Sequence, residues 1–378
     1  MRQLFFYGTL RDMGVLSAVL GRDSAAISMR KAVLPGYRAS AVRGQDFPFA
    51  VAAKGATAEG LLVSGLGQDD IDRLIYYEGS YLYDLVEVQV DCDGKPERAE
   101  VFLSDHQGWT PEGLWSLPAW QAKDQGLAAE AAREVMAHYG QRGSDEVYRR
   151  YDSIRIRAHS RLLARAAAPQ RLRQDHAADD IRISATRRPY FSFFALEEHD
   201  VSYRGFDGSF SPTVERAVFL AADAVTVLPY DPLNDLVMLV EQFRAGPMGR
   251  GDPNPWCLEP IAGRVDANES YEQTARREAI EEAGLKLQRL EKVASYYSSP
   301  GAVSEYLMSY IGLCDLAGRT EAVHGMADEV EDIRSFVVPF ATFQRALDAG
   351  EFDNGPLLIS AHWLVRHRAR LRRSGPSA

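Results

Sequence analysis

Residues 263–285 read GRVDANESYEQTARREAIEEAGL. Ser270 followed three positions later by Gln273 predicts a capping box, because each side chain can satisfy the other's backbone N–H at a helix start. Gly284 predicts the stop, since a residue without a Cβ accepts the left-handed turn that ends a helix. The helix is therefore expected over Ser270 to Ala283. Within it Glu278, Glu281 and Glu282 stand at i, i+3 and i+4, on one face, where like charges repel across a turn. Something cationic must offset them. Hard oxygen ligands on a rigid helix suit Mg²⁺, or Mn²⁺, which in turn carries phosphate oxygens, and Arg277 can pair with Glu269 to tie the helix to its preceding loop. The competing reading is a solvated acidic face, which weighs most for Glu281.

Working outward, AVTVLPYDPLNDLVMLVEQF (224–243) is two apolar strands joined by a turn of Pro, Asp and Asn. KVASYYSS (292–299) and SEYLMSYIGLCD (304–315) read as strands, and FATFQRALDAG (340–350) and LLISAHWLVRHRARL (357–371) as helices. That order predicts a mixed sheet covered by helices on both sides, an α/β/α sandwich. Near the other end, QLFFYGTL (3–10) is a strand running into a Gly-Thr turn, followed by a short helix through Val15, Leu16, Val19 and Leu20 that Gly21 ends. LLVSGL, LVEVQVDC and RAEVFL have strand character around a helical DDIDRLIYYEG, and residues 117–140 read as one closing helix. Consecutive strands with a few helices predict a small α+β barrel or curled sheet. Between the two patterns, residues 149–173 hold eight arginines against one acid, a helical connector that Pro169 breaks. The expected organisation is a first domain over 1–145, a basic helical linker over 146–180 and a second domain over 181–378.

Composition limits the function classes. The 378 residues suffice for two domains, and 46 % apolar with 25 % charged residues excludes disorder and fibre as overall descriptions. The formal net charge of −10 has the wrong sign for a nucleic-acid binder. Any anionic substrate must then be held locally, by a metal or a few arginines. Cys92, Cys257 and Cys314 are isolated and odd in number, which fits a reducing compartment better than a disulfide framework or a zinc site. No eighteen-residue apolar run occurs, and the N-terminus turns polar too soon for a signal-peptide core. A cytoplasmic protein without membrane or nucleic-acid partners is the expectation.

The spacing from Gly263 through Glu269, Arg277-Glu278 and Glu281-Glu282 to Gly284-Leu285 resembles the Nudix box, GX₅EX₇REUXEEXGU, with Ala279 where a bulkier aliphatic residue is usual. The resemblance runs from about Gly205 to His367. FDGSFSPTVER, VEQFRAGP, PWCLEPIAG, SSPGAVSE and HGMADEVEDI, together with Pro300, resemble the ADP-ribose pyrophosphatase branch. It implies that the Ala262 carbonyl, Glu278, Glu282 and Glu331 ligate Mg²⁺, with Glu281 beside them, and that Glu329 is the general base on the attacking water. It further implies Arg216 and Arg244 as diphosphate or ribose contacts, Gly301 and Glu305 near the terminal ribose, and a homodimer built by strands such as FSFFALEEHDVSY. Ala217 departs from the acidic residue often found there. The implied activity splits ADP-ribose, or a related nucleoside diphosphate sugar, into AMP and ribose 5-phosphate. A GDP-mannose-type pyrophosphatase is the alternative.

FFYGTLRD followed by LIYYEGSYLYDLVEVQV resembles the gamma-glutamylcyclotransferase, or AIG2-like, family over about Met1 to Tyr139. The resemblance implies that Tyr7, Gly8, Thr9 and Leu10 offer backbone amides to a substrate. It also implies that Glu78 takes a proton from the α-amine of a gamma-glutamyl group as that amine closes on the side-chain carbonyl to form 5-oxoproline. The arginine that often follows a downstream tyrosine in that family is missing, since Asp84 follows Tyr83. Other readings are a domain that binds a small amine, a scaffold for the Nudix dimer, or a sensor in which neither pocket turns over. The fusion also resembles bacterial proteins linked to tellurite resistance, a phenotype that no residue here derives.

Overall fold

A computed structural model describes the chain apart from residues 1, 24–26, 80–82, 105–107, 125, 167–170, 325–331 and 375–378. Two compact units, Met1–Pro169 and Gln170–Ala378, divide it.

In the first unit the strands are β1 (Leu4–Phe6), β2 (Ser28–Val42), β3 (Pro48–Ser64), β4 (Asp84–Cys92), β5 (Lys95–Leu103) and β6 (Pro111–Leu114). They pair in the order β3-β1-β5-β4-β2-β6, and β2 also pairs with β3. The additional pairing closes five strands into a barrel, and closure leaves those strands without a free edge. β2 and β3 run for 15 and 17 residues, and their register shifts between Pro35 and Tyr37, where Gly36 adopts φ 79°. The bulge bends the long hairpin so that one ribbon serves two sides of the barrel. Phe5, Leu34, Leu62, Val90 and Val101 fill its core.

The helices of this unit are α1 (Met13–Leu20), α2 (Gln68–Gly79), α3 (Leu117–Asp124), α4 (Leu127–Met136), α5 (Ser144–Tyr148) and α6 (Tyr151–Leu163). Asp12 caps α1 by accepting the N–H groups of Gly14 and Val15, and Gly21 ends it at φ 68°. The single closing helix expected over 117–140 is two helices. Gly126 at φ 91° lies between α3 and α4, a left-handed conformation that a helix cannot run through. The stretch expected as a linker over 146–180 is likewise divided, because α6 packs on α4 and belongs to the first unit. Its arginines find acids there. Buried Glu134 accepts from Arg157 and Arg161, each at 2.6 Å, and Glu130 pairs with Arg165.

The second unit opens with a three-stranded sheet of β7 (Ile181–Phe191), β8 (Ala195–Tyr203) and β9 (Val214–Leu220). A larger sheet follows, from β10 (Ala224–Asp231), β11 (Leu236–Phe243), β12 (Trp256–Glu259), β13 (Ile261–Arg264), β14 (Arg289–Tyr297), β15 (Tyr306–Leu313), β16 (Ala322–His324) and β17 (Ile333–Pro339). Its order is β14-β15-β10-β11-β17-β16, with β12 on β11 and β13 on β10. The β10–β15 pair is parallel and the others antiparallel, so the sheet is mixed as expected. The helices are α7 (Ala245–Arg250), α8 (Tyr271–Glu281), α9 (Phe340–Ala349) and α10 (Gly355–Ser374). Every residue of β10 is buried, the mark of a strand covered on both faces. Leu228 and Tyr230 pack into one cluster with Phe340, Phe343, Leu357 and Leu364 of α9 and α10, while α8 lies against β10 and β13. The basic end of α10 is likewise matched, Arg368 and Arg372 to Asp235 and Arg370 to Glu291. Among the described residues no helix is long and apolar enough to cross a membrane.

Candidate active sites

In the second unit the site is built at the corner where α8 crosses β13. The capping box forms as its residues dictate: Ser270 N–H donates to Gln273 Oε1 at 2.8 Å and Gln273 N–H to Ser270 Oγ at 3.3 Å. Gly284 ends the helix at φ 56°. Gly263 is required by space. A Cβ there would lie 1.9 Å from Glu278 Cδ and Oε1, so only glycine lets the carboxylate cross the strand at this depth.

Arg277 holds the acids apart. Its guanidinium donates to Glu269 at 3.0 Å, Glu278 at 2.7 Å and Glu281 at 2.9 Å, and to the carbonyl of Arg264 at 3.2 Å. Burial alone would lower its pKa, but these carboxylates outweigh burial and hold it well above the ordinary range. Glu282 is buried and accepts the Ala262 N–H at 3.2 Å, which brings that backbone beside its carboxylate. The sequence-predicted set Ala262, Glu278, Glu281 and Glu282 is thus gathered at one corner.

That corner opens on a cleft of about 520 Å³. Arg244 lines it, with Nη2 on buried Glu259 at 2.6 Å and Nε shared between both Glu259 oxygens at 3.1 Å. Glu259 also accepts from Asn354 at 3.0 Å, so the Arg244 fork is held by an internal carboxylate. Glu305 lines the cleft, whereas Arg216 on β9 donates to the Glu215 carbonyl and Gly301 lies in the turn after β14, both away from its lining. Glu329 and Glu331 lie outside the described residues. Phe193 and Phe194, from the turn between β7 and β8, also line the cleft, and the Arg264 guanidinium sits 3.9 Å from the Phe193 ring centre. A pair of aromatics in a turn was their only signal in the sequence. Among the described residues no group of three or more His, Cys, Asp or Glu side chains forms a ready metal cage. The donors present are hard oxygens, the kind that suits Mg²⁺.

The first unit holds a narrower pocket, of about 60 Å³. β1 stops at Phe6 and the chain turns through Tyr7 and Gly8 into a tight turn at Thr9–Arg11, so Tyr7 to Leu10 all line the pocket. α2 delivers Glu78 from its last turn to the same pocket. Tyr83 Oη donates to the Pro48 carbonyl at 2.7 Å and shares a hydrogen bond with Tyr7. Burial pushes the Glu78 carboxyl up to about 8. Burial first, and the neighbouring Glu78 charge second, raises the Tyr7 phenol as well. The surface that Glu78 retains faces this narrow pocket, where few waters can solvate a charge. Sequence reasoning missed the far wall, made by Asp46, Asp124, Tyr151 and Arg155.

A mixed sheet carrying a capped acidic helix over a cleft is thus joined in one chain to a barrel whose pocket Glu78 lines. A NUDIX domain model matches residues 220–358, and a gamma-glutamyl cyclotransferase, AIG2-like model matches residues 4–117. The ADP-ribose pyrophosphatase of Escherichia coli (strain K12) is 38% identical over 204 residues, 54% of this chain and 97% of that protein. That of Haemophilus influenzae is 35% identical over 203 residues, 53% of this chain and 93% of its own. A GDP-mannose pyrophosphatase of Enterobacter sp. (strain 638) is 33% identical over 150 residues, 40% of this chain and 77% of its own. The chain belongs to the Nudix hydrolases and carries an AIG2-like domain ahead of the hydrolase domain.

Proposed function

We propose that the second unit hydrolyses the pyrophosphate bond of a nucleoside diphosphate sugar, with ADP-ribose, giving AMP and ribose 5-phosphate, as the substrate. The observation that carries this reading is the Gly263–Glu278 contact beside Arg277, which sets arginine-paired carboxylates at the edge of a cleft large enough for a dinucleotide-sized ligand. The match to ADP-ribose pyrophosphatases over nearly their whole length supports it.

Ala262, Glu278 and Glu282, with Glu331, would hold Mg²⁺, and Mn²⁺ would serve in its place. When bound, the ion neutralises charge on the two phosphates. Arg277 pairs with the helix carboxylates and orients them, and Arg244, once its fork exchanges Glu259 for phosphate, binds the diphosphate. Glu329 takes the proton of the attacking water. The exposed Ile181, Ile183, Tyr190 and Phe219 of β7–β9 give an apolar surface suited to a homodimer.

The test is phosphate release, after phosphatase coupling, across ADP-ribose, GDP-mannose and other nucleotide sugars with and without Mg²⁺. ADP-ribose should be turned over fastest, and Glu282→Gln should lose at least about a hundredfold, since even residues that only support a metal ligand cost ten- to hundredfold. Better turnover of GDP-mannose would install the second reading, which the Enterobacter relative favours. Undiminished activity in Glu282→Gln would remove the metal assignment.

For the first unit we infer a cyclotransferase in which Glu78 is the base. A carboxyl with its pKa near 8 is matched to an ammonium proton, as an ordinary glutamate is not. The product to follow is 5-oxoproline, from gamma-glutamyl amino acids, glutathione and gamma-glutamylamines. No product from any of them would leave a binding or scaffold role.

A further inference from the structure

Apart from Asp46, the far wall of the first-unit pocket comes from beyond the AIG2-like match, which ends at residue 117. α6 contributes Tyr151 and Arg155 to the lining. Arg155 is the one basic residue that lines the pocket among the described residues, facing the acids Asp46, Glu78 and Asp124. The acids differ in what holds them. Asp124 accepts the N–H groups of Gly126 at 3.1 Å and Ala128 at 2.9 Å, which fixes it at the start of α4. Glu78 is desolvated at the end of α2. Only Asp46 reaches the arginine, at 2.5 Å, from the short connection between β2 and β3. Both partners of that pair are largely but incompletely covered, with side chains 22% and 25% exposed.

We propose that Arg155 is a specificity-determining residue that receives the carboxylate of the pocket's ligand, and that Asp46 is the internal carboxylate holding its place until the ligand arrives. The proposal rests on the reading of this pocket as a ligand site. Three features support it. A guanidinium presents a planar fork that a carboxylate fills, and Asp46 demonstrates that a carboxylate fits there. Asp46 sits on the short connection between β2 and β3, an element less constrained than a packed helix, whereas Arg155 sits on a helix clamped to α4 by the buried Glu134–Arg157 pair and is therefore positioned. Finally, the Glu78 carboxyl and Arg155 face one small pocket, which selects a ligand bearing a nitrogen donor and a carboxylate on a short skeleton.

The test uses the full chain and two small lactams that differ only in the carboxylate, 5-oxoproline and 2-pyrrolidinone, with binding followed by ligand-observed NMR. Wild type should prefer 5-oxoproline about tenfold or more, the worth of a charged hydrogen bond. Arg155→Met should abolish the preference while leaving 2-pyrrolidinone binding unchanged, and Arg155→Lys should restore part of it. Asp46→Asn, which removes the internal competitor, should tighten 5-oxoproline several-fold without affecting 2-pyrrolidinone. Thermal unfolding and ADP-ribose hydrolysis by each variant report that both units are folded. If wild type binds 5-oxoproline and Arg155→Met and Asp46→Asn both leave the preference intact, the role of Arg155 is overturned and the pocket reading stands. If wild type binds neither lactam, the pocket reading falls and the proposal with it.

Discussion

The two cavities handle carboxylates in opposite ways. Of the acids that line the barrel pocket, Glu78 stands among tyrosines, where burial raises its pKa to about 8. In the cleft of the second unit several acids crowd one helix corner, where Arg277 pairs with Glu269, Glu278 and Glu281 and, against burial, helps to hold the Glu269 carboxyl below its usual range. The lesson is that the environment sets the task. A carboxyl isolated from water is tuned to move a proton near neutral pH, whereas carboxylates bound by an arginine stay anionic and are suited to holding cations.

The contrast can be broken at several points. Glu78→Gln should lower 5-oxoproline release by about 10² to 10⁴, the usual contribution of a general base. In the parent protein that release should climb as pH rises through about 8, because the base form predominates only above it. The same carboxyl sets a stability slope. Its folded-state pKa lies above the unfolded value, so the stability it contributes is present in acid and lost as pH rises through about 8. Denaturant unfolding of Glu78→Gln should show that slope flattened. Gly263→Ala drives a methyl into Glu278 and should cost hydrolysis about a hundredfold, with the first unit's unfolding transition unmoved. Arg277→Met should cost ten- to hundredfold, partly recovered by raising Mg²⁺, since the cation then bears the repulsion alone. The smallest effect belongs to Ser270→Ala, which removes one cap and should destabilise the second unit by about 1 kcal/mol in denaturant titration.

What the sequence disclosed followed from local rules. The helix over 271–281 was legible because Ser270, Gln273 and Gly284 are cap and stop chemistry, and the triad of glutamates on its face follows from helical spacing alone. Glu78 and the Tyr7–Leu10 turn were legible through a compact motif. Contacts made across the fold were not. Nothing near Arg244 announces that Glu259 will take its fork, because that pairing arises only when β11 and β12 lie side by side. Nothing near Tyr83 announces Arg155, which arrives on a helix much later in the chain. The long β2–β3 ribbon was only partly legible because its Gly, Ala and Ser positions blur the alternation that marks a strand, and Gly126 looked like one more residue of an alanine-rich helix.

The clamp between Glu134 and Arg157 also bears on how the barrel can be excised. A fragment trimmed to the family match at residue 117 would lack α4 and α6. It would lose the buried Leu127, Ala131, Val135, Ile154 and Ala158, and with them one side of its own cavity. The family match therefore marks a shorter piece than the compact unit, which runs past Arg165, and the arginine-rich stretch that reads as a tether is the buttress of the pocket.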